Sequence, residues 1–145
     1  LKVTIVYFDS SALVKLVLDE TGSDIAAAVW NACDAALSSR LAYPEVRAAL
    51  AAAGRNHDLT DSEALAAAGE WEIFCSSMRP IELSPDVERA AGELAVAHHL
   101  RGADAVHLAS AIALGSQEVT VAAWDKRLHA GASAVGLPVA PATLD

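Results

Sequence analysis

The sequence has few of the features that mark a disulfide-rich, zinc-binding or membrane protein. Its two cysteines, Cys33 and Cys75, have no CxxC spacing, so neither a disulfide framework nor a zinc site is indicated. Although 54% of the residues are hydrophobic, charges interrupt the apolar runs well before the roughly 18 residues of a transmembrane helix. We therefore expect no membrane association and one globular domain over residues 1–145.

Positive charge is also scarce. Ten Lys and Arg residues face 19 Asp and Glu residues, which gives a formal net charge of −9. This balance argues against broad electrostatic wrapping of nucleic acid, which normally requires a basic face. A net negative charge suits a cation site or a basic partner.

The N-terminal run LKVTIVYF is short and is followed by an aspartate, with no small-residue cleavage site behind it. Such a run is typical of a buried strand and not of a signal peptide. We therefore expect a cytoplasmic protein.

Hydrophobic patterning predicts strands that alternate with helices. Val3–Phe8 and Val119–Trp124 are rich in β-branched and aromatic residues, as in parallel strands that are covered on both faces. Ala35–Ser38 and Leu137–Ala140 are weaker strand candidates. Apolar periodicity and capping patterns predict seven helices over 10–18, 24–33, 44–53, 61–77, 85–98, 103–113 and 125–130.

Several of these helices have recognisable ends. Ser23 is predicted to cap the second helix, and Pro44 and Gly54 bound the third. Thr60 to Glu63 form a capping box, and Ser84-Pro85 begins a further helix. Because no hairpin signal such as Asn-Gly occurs, the pattern predicts an α/β fold with a parallel sheet and helices on both faces.

Four carboxylates stand at predicted helix starts in apolar surroundings. Asp9 and Asp125 follow the two clear strands, and Glu45 follows Pro44 just beyond a weak strand. Asp104 lies near the start of the apolar stretch LRGADAVHLASAIA. Because ligands of open parallel sheets bind beyond the carboxyl ends of the strands, these acids are the candidate site residues.

Each acid alone is also explained as a helix cap, because carboxylates are favoured at helix N-termini. Five further acids illustrate this role in polar first turns: Asp24, Asp61, Glu63, Asp86 and Glu88. The apolar surroundings distinguish the four, since desolvated carboxylates in one crevice repel each other and raise each other's pKa. A divalent cation removes the conflict. Oxygen ligands without cysteine favour Mg²⁺ or Mn²⁺, and such an ion suits phosphodiester hydrolysis.

The segments FDSSALVKL, YPEVRAAL, LRGADAVHLASA and WDKRL, in this order and spacing, resemble the PIN-domain nucleases, and specifically the VapC-type toxins of bacterial toxin–antitoxin pairs. The resemblance implies an α/β/α sandwich and a metal-dependent endoribonuclease that is inhibited by a cognate antitoxin. It implies that Asp9 and Asp104 hold the Mg²⁺ or Mn²⁺ ion and that Glu45 and Asp125 complete the site. We also expect a homodimer and cleavage of single-stranded RNA.

Residues near these acids have two interpretations each. Ser11 falls where the family often has a hydroxyl, and Thr120 lies in the strand before Asp125. Trp124 could stack on a base, although core packing is the simpler role. His107, one turn after Asp104, could approach the site, or it could be a hydrogen-bonded core residue.

Charged and aromatic residues farther along the chain also have alternative roles. Lys15 and Arg127 could contact RNA phosphates or an acidic antitoxin residue, or lie on a solvated surface. His98 and His99 lie at the end of a predicted helix, where a cation complements the helix dipole. Trp30 and Trp71 could line a groove for a partner helix, form a dimer face or pack in the core.

Two other functions are compatible with the pattern. A catalytically silent binding module would use the acids only as helix caps, and it would not be stabilised by Mn²⁺. A phosphatase with Asp9 as nucleophile would carry a second acid two residues later, where this chain has Ser11.

Overall fold

The computed structural model describes residues 3–115 and 118–144, so Leu1 and Lys2 of the N-terminal run lie outside it. In chain order, the elements are β1 (Ile5–Phe8), α1 (Ser10–Val17), α2 (Ser23–Ala32), β2 (Ala35–Ser39), α3 (Ala42–Arg55), α4 (Asp61–Ser76), β3 (Arg79–Ile81), α5 (Pro85–His98), α6 (Gly102–Ile112), β4 (Val119–Ala122), α7 (Lys126–Ala134) and β5 (Val139–Ala140). No helix within the described ranges is both long enough and apolar enough to cross a membrane.

The five strands form one sheet in the order β3-β2-β1-β4-β5, and every neighbouring pair is parallel. This confirms the predicted parallel sheet. Phe8 of β1 pairs with Ala122 of β4, so the residues that follow these two strands leave the sheet at the same level. The carboxyl ends of the strands therefore share one edge.

Helices cover both faces of the sheet, and the residues of β1 alternate between the two cores. Val6 and Phe8 pack into a core with residues of α1, α3 and α4. Tyr7 packs into the opposite core with residues of α5, α6 and α7. Because successive side chains of a strand point to opposite faces, both faces of this central strand are apolar. The sheet and its two layers of helices form a three-layer α/β/α sandwich.

The helices that follow β1 and β4, which are α1 and α7, lie on opposite faces of the sheet. Leu13 of α1 lies in one core and Leu128 of α7 in the other. The strand order reverses between these two strands, and such a switch point opens a crevice at the carboxyl ends of the strands. Asp9 and Asp125 follow the two strands at this point.

The strand predictions were wrong at several ends. The prediction omitted β3, which lies at the sheet edge, carries Pro80 and has an exposed Arg79. An edge position tolerates proline because no further strand needs its missing N–H. β1, β4 and β5 are shorter than predicted, since flanking apolar residues such as Val3 and Trp124 lie outside the ladder, whereas β2 extends one residue further, to Ser39.

Several helix boundaries also differ from the prediction. The third helix, α3, begins at Ala42 and continues through Gly54, and Pro44 is tolerated because first-turn N–H groups have no partner within the helix. Gly22, not Ser23, is the N-cap of α2. The Ser23 hydroxyl instead accepts the Glu20 N–H at 3.0 Å and donates to the Leu18 carbonyl at 2.8 Å.

The last helix, α7, extends to Ala134, four residues beyond the prediction. Other expectations are confirmed: Thr60 and Glu63 form a capping box, and the Ser84 hydroxyl caps α5. Cys33 and Cys75 are both free thiols.

Candidate active site

The structure brings the four predicted carboxylates into one electrostatically coupled group. Asp9 and Asp125 are the N-caps of α1 and α7, while Glu45 and Asp104 lie in the first turns of α3 and α6. The charge of Asp125 acts on both Asp9 and Asp104, and the charge of Glu45 also acts on Asp104. Residues that are far apart in the chain are therefore close enough to repel one another.

Asp9 is the most buried of the four, with 3% of its surface exposed. Its Oδ1 accepts the Ala12 N–H at 2.9 Å, so the helix-cap interpretation is correct for this residue. Burial raises the pKa of the Asp9 carboxyl to about 6, although the charge of His107 and the hydrogen bond from Ser11 oppose this shift. A cap alone does not require a carboxylate that is so strongly desolvated.

The Ser11 hydroxyl joins the ends of β1 and β4. It lies 2.7 Å from Oδ1 and 2.9 Å from Oδ2 of Asp9, to which it donates its proton. Its oxygen accepts the backbone N–H of Trp124 at 2.8 Å, and the N–H of Asp125 lies at 3.3 Å. Ser11 therefore fixes the position of Asp9 relative to the segment that carries Asp125.

Asp125 and Asp104 have different surroundings. Oδ1 of Asp125 accepts the N–H groups of Arg127 and Leu128, both at 3.0 Å, which leaves Oδ2 outside these two bonds. Asp104 is half-buried. Its pKa is raised by burial and then by the charge of Asp125, while the charges of His107 and Arg101 partly offset these effects.

Glu45 is held by two hydrogen bonds to one of its oxygens. Oε1 accepts the Ser10 hydroxyl proton at 2.6 Å and lies 2.6 Å from Nε2 of His107. Burial raises the pKa of the Glu45 carboxyl, but the bonds from His107 and Ser10 outweigh it, and the pKa is lowered. Glu45 is therefore ionised at neutral pH.

Two residues of this network were missed by sequence analysis. Ser10 gave no signal beyond its place at a helix start, and Tyr7 looked like one more apolar strand residue. The Tyr7 hydroxyl lies 2.7 Å from Nδ1 of His107. The two interpretations of His107 therefore hold together, since it is a hydrogen-bonded core residue and also contacts Glu45.

Lys15 does not lie on a solvated surface, since its side chain is only 11% exposed. Its ammonium donates to the Glu20 carboxylate at 3.0 Å and to the Thr21 carbonyl at 2.7 Å, and it lies 5.4 Å from the ring centroid of Trp124. The Trp124 ring packs against the turn at Gly22, where an added Cβ would lie 2.7 Å from Nε1. Trp124 is thus a packing residue, as its simpler interpretation proposed.

The remaining aromatic and hydroxyl candidates lie away from the carboxylates. Thr120 borders a cavity of about 360 Å³ near the amino ends of the strands. Trp71 is fully buried, and Trp30 packs between Phe8 and Phe74. Both tryptophans pack in the core on the side of the sheet covered by α1, α3 and α4.

Positive side chains cluster beside Asp125. Lys126 and Arg127 are exposed, and together with His98 and His99 they line a groove of about 690 Å³ between the end of α5 and the start of α7. The groove is a positive surface in an otherwise acidic chain. It adjoins the carboxylate group through the direct sequence neighbours of Asp125.

Within residues 3–115 and 118–144, no three His, Cys, Asp or Glu side chains form a ready set of metal ligands. Oε1 of Glu45 is occupied by His107 and Ser10, and the bonds of Asp9 and Asp125 point to helix N–H groups. The chemistry nevertheless fits a hard cation, because the donors are carboxylate oxygens, and burial, followed by mutual repulsion, raises the pKa values of Asp9 and Asp104. Mg²⁺ commonly uses only one or two carboxylates and keeps several waters.

Comparison with known proteins identifies the family. The sequence model of the PIN domain family matches residues 6–130. The chain belongs to the PIN domain family. Ribonuclease VapC45 of Mycobacterium tuberculosis (strain CDC 1551 / Oshkosh) is 65% identical to it over 141 residues, which cover 97% of this chain and 98% of the relative.

Solved structures share the fold of this PIN domain. The crystal structure of Mycobacterium tuberculosis VapC20, described as a sarcin-ricin loop cleaving toxin, has a TM-score of 0.66 and 20% identity, with 91% of this chain and 95% of that chain covered. A toxin–antitoxin complex from Klebsiella pneumoniae has a TM-score of 0.67 and 19% identity, with coverage of 97% and 99%. The α/β/α sandwich implied by the sequence resemblance is confirmed.

Proposed function

We propose that this chain is a VapC-type endoribonuclease, the toxin of a toxin–antitoxin pair, and that it hydrolyses RNA phosphodiester bonds with the help of Mg²⁺ or Mn²⁺. The observation that carries the proposal is the coupled group of four carboxylates at the switch point of the sheet. The 65% identity to a protein named as a VapC ribonuclease supports the same reaction.

Each carboxylate has a distinct part in this proposal. Asp9 and Asp104 hold the cation, because they are the two acids whose pKa values burial and neighbouring charge raise. Asp125 contributes its second oxygen, and Glu45 its Oε2. When bound, a hard divalent cation polarises a phosphoryl oxygen and lowers the pKa of water, so no nucleophilic side chain is needed.

The positive groove supplies contacts to the RNA backbone. Lys126 and Arg127 lie directly after Asp125 and are exposed. When the scissile phosphate lies at the carboxylates, these two side chains contact the neighbouring phosphates of the RNA. The number of such contacts is small, and binding will therefore be modest and salt-sensitive. Unstacked bases of single-stranded RNA provide selectivity.

The proposed protein partner is a cognate antitoxin, as in the toxin–antitoxin complex whose fold this chain shares. A homodimer and a cytoplasmic location complete the proposal. Several large apolar side chains are exposed on the helices, including Leu65 and Ile73 of α4 and Val96 of α5, and such surfaces are frequent at protein contacts.

The phosphatase alternative has little structural support. The position two residues after Asp9 is occupied by Ser11, whose hydroxyl donates to the Asp9 carboxylate. A serine at this position does not supply the acid that this mechanism expects there to protonate the leaving group.

The decisive experiment is RNA cleavage by the purified chain, freed of any bound partner, in the presence of Mn²⁺. We expect cleavage that EDTA abolishes and that Asp9→Asn reduces by about 100-fold or more, because one ligand carboxylate is lost. Asp86→Asn, which changes an exposed first-turn aspartate of α5, is the matched control and should retain full activity. Cleavage that survives both EDTA and Asp9→Asn excludes the proposed chemistry, and a chain that cuts no RNA is the silent module.

A further inference from the structure

A chain of hydrogen bonds runs from the sheet to Glu45 through the inside of the protein. The Ser39 N–H of β2 donates to the Tyr7 hydroxyl at 3.1 Å. The Tyr7 hydroxyl lies 2.7 Å from Nδ1 of His107, and Nε2 of His107 lies 2.6 Å from Oε1 of Glu45. Four separate elements, β2, β1, α6 and α3, thus meet in one polar chain.

The directions of the bonds at the two ends of this hydrogen-bond chain follow from their partners. The ionised Glu45 carboxylate only accepts hydrogen bonds, so Nε2 of His107 carries a proton. The Tyr7 oxygen accepts the Ser39 N–H and has one proton to give. Nδ1 faces the Tyr7 hydroxyl, so both ring nitrogens of His107 have a hydrogen-bond partner.

This chain of hydrogen bonds is buried over most of its length. Tyr7 is 0% exposed and His107 is 2% exposed, and their rings meet edge to face with centroids 5.9 Å apart. Removing one member would leave a buried polar group without its partner, which is unfavourable. The packed core therefore fixes the position of Nε2, and Nε2 in turn fixes Oε1 of Glu45.

The consequence for Glu45 is that its two oxygens are no longer equivalent. Oε1 is held by His107 and by the Ser10 hydroxyl, both at 2.6 Å. Oε2 takes part in neither bond. A glutamate side chain has considerable rotamer freedom that must be lost on binding, and the two bonds restrict it beforehand.

We propose that Tyr7 and His107 are positioning residues, which hold the Glu45 carboxylate in one orientation and leave Oε2 to act at the reaction centre. This inference rests on the proposed function. A core with Phe and Leu at these positions would bury the same area without polar atoms. The structure instead carries a tyrosine and a histidine, 100 residues apart in sequence, whose polar atoms lead to one carboxylate.

A double-mutant cycle separates positioning from a merely structural role. Tyr7→Phe keeps the ring and removes the hydroxyl. We expect it to lower kcat for RNA cleavage about 10-fold with KM within about 2-fold, since small misplacements of catalytic groups cost rate. In a Glu45→Gln background, Tyr7→Phe should cause no further loss. If the two losses simply multiply, Tyr7 does not act through Glu45 and the proposal is wrong.

The matched control is Val121→Ala, since Val121 pairs with Tyr7 in the sheet and belongs to the same core without a polar side chain. It should lower the melting temperature at least as much as Tyr7→Phe while leaving kcat within about 2-fold, when activity is measured well below both melting temperatures. An equal loss of kcat in Val121→Ala would assign the Tyr7→Phe effect to stability alone.

A readout without RNA keeps this inference distinct from the proposed function. The rise in melting temperature on adding Mn²⁺ should be smaller in Tyr7→Phe than in the unmodified chain, and unchanged in Val121→Ala. An equal rise in Tyr7→Phe, or no rise in the unmodified chain, overturns the positioning role. If the chain cuts no RNA but Tyr7→Phe reduces the Mn²⁺ response, the proposed reaction fails and the positioning role stands.

Discussion

Replacing Asp9 by asparagine should stabilise the cation-free protein at neutral pH, although the same change should remove activity. Asp9 is 3% exposed, and burial raises its pKa from 3.8 to about 6. The folded state therefore binds the Asp9 proton more tightly than the unfolded state does. Asparagine keeps an oxygen that can accept the Ala12 N–H but has no charge to desolvate.

The sign of the pH dependence follows from this raised pKa. Below about pH 3.8 the carboxyl is protonated in both states and carries no penalty. As the pH rises through about 6, the folded state must also accept the buried charge, and stability is lost. Two pKa units at about 1.4 kcal/mol each give a loss of about 3 kcal/mol that is complete near pH 7.

The assay is urea unfolding of the original chain and of Asp9→Asn in EDTA, between pH 4 and pH 8. The difference in unfolding free energy between the two proteins should shift in favour of Asp9→Asn by about 2.5 kcal/mol from pH 4 to pH 7.5, because at pH 4 the unfolded carboxyl is already partly ionised. Asp86→Asn provides the control for an exposed aspartate. A difference that stays the same across this pH range would refute the reasoning, because it would show that Asp9 is not desolvated in the folded state.

Two further substitutions test the packing and the positive groove. Gly22→Ala should lower the free energy of unfolding by about 2 kcal/mol or more, because Gly22 has φ +94 and an added Cβ would lie 2.7 Å from Nε1 of Trp124. Gly69→Ala, in the open middle of α4, should raise it. Thermal unfolding measures both changes. Replacing both Lys126 and Arg127 by Glu should weaken RNA binding in EDTA. The slope of the logarithm of the binding constant against the logarithm of the salt concentration should become shallower by about 1.4. Replacing the exposed Arg89 by Glu should leave this slope unchanged.

The sheet was predictable where single strands carry their own signal. Val3–Phe8 and Val119–Trp124 are strongly apolar, because central parallel strands are buried on both faces. The edge strand β3 has three residues, with Arg79 and Pro80 exposed, and it exists only because β2 pairs with it. A strand that depends on its neighbour leaves little trace in its own sequence.

The acids of the candidate site were predictable because each one interrupts an apolar segment at a strand or helix end. Ser11 and His107 were also noted as neighbours of these acids, but the hydrogen bonds that they make could not be predicted. The bond between Tyr7 and His107 joins residues 100 positions apart, and nothing in either local segment indicates it. For Lys15 the sequence suggested RNA, an acidic antitoxin residue or solvent as the contact. Its bonds to Glu20 and Thr21 could not be predicted, because they depend on the turn between α1 and α2.

The measurement that tests the central proposal most directly is anomalous X-ray diffraction from crystals of the chain soaked in Mn²⁺. We predict a manganese peak within coordination distance of the carboxylates of Asp9 and Asp104, about 2.0–2.3 Å from their oxygens by analogy with other hard divalent cations, and its absence from Asp9→Asn crystals. Manganese bound elsewhere on the protein, with no peak at these carboxylates, would contradict the proposed site.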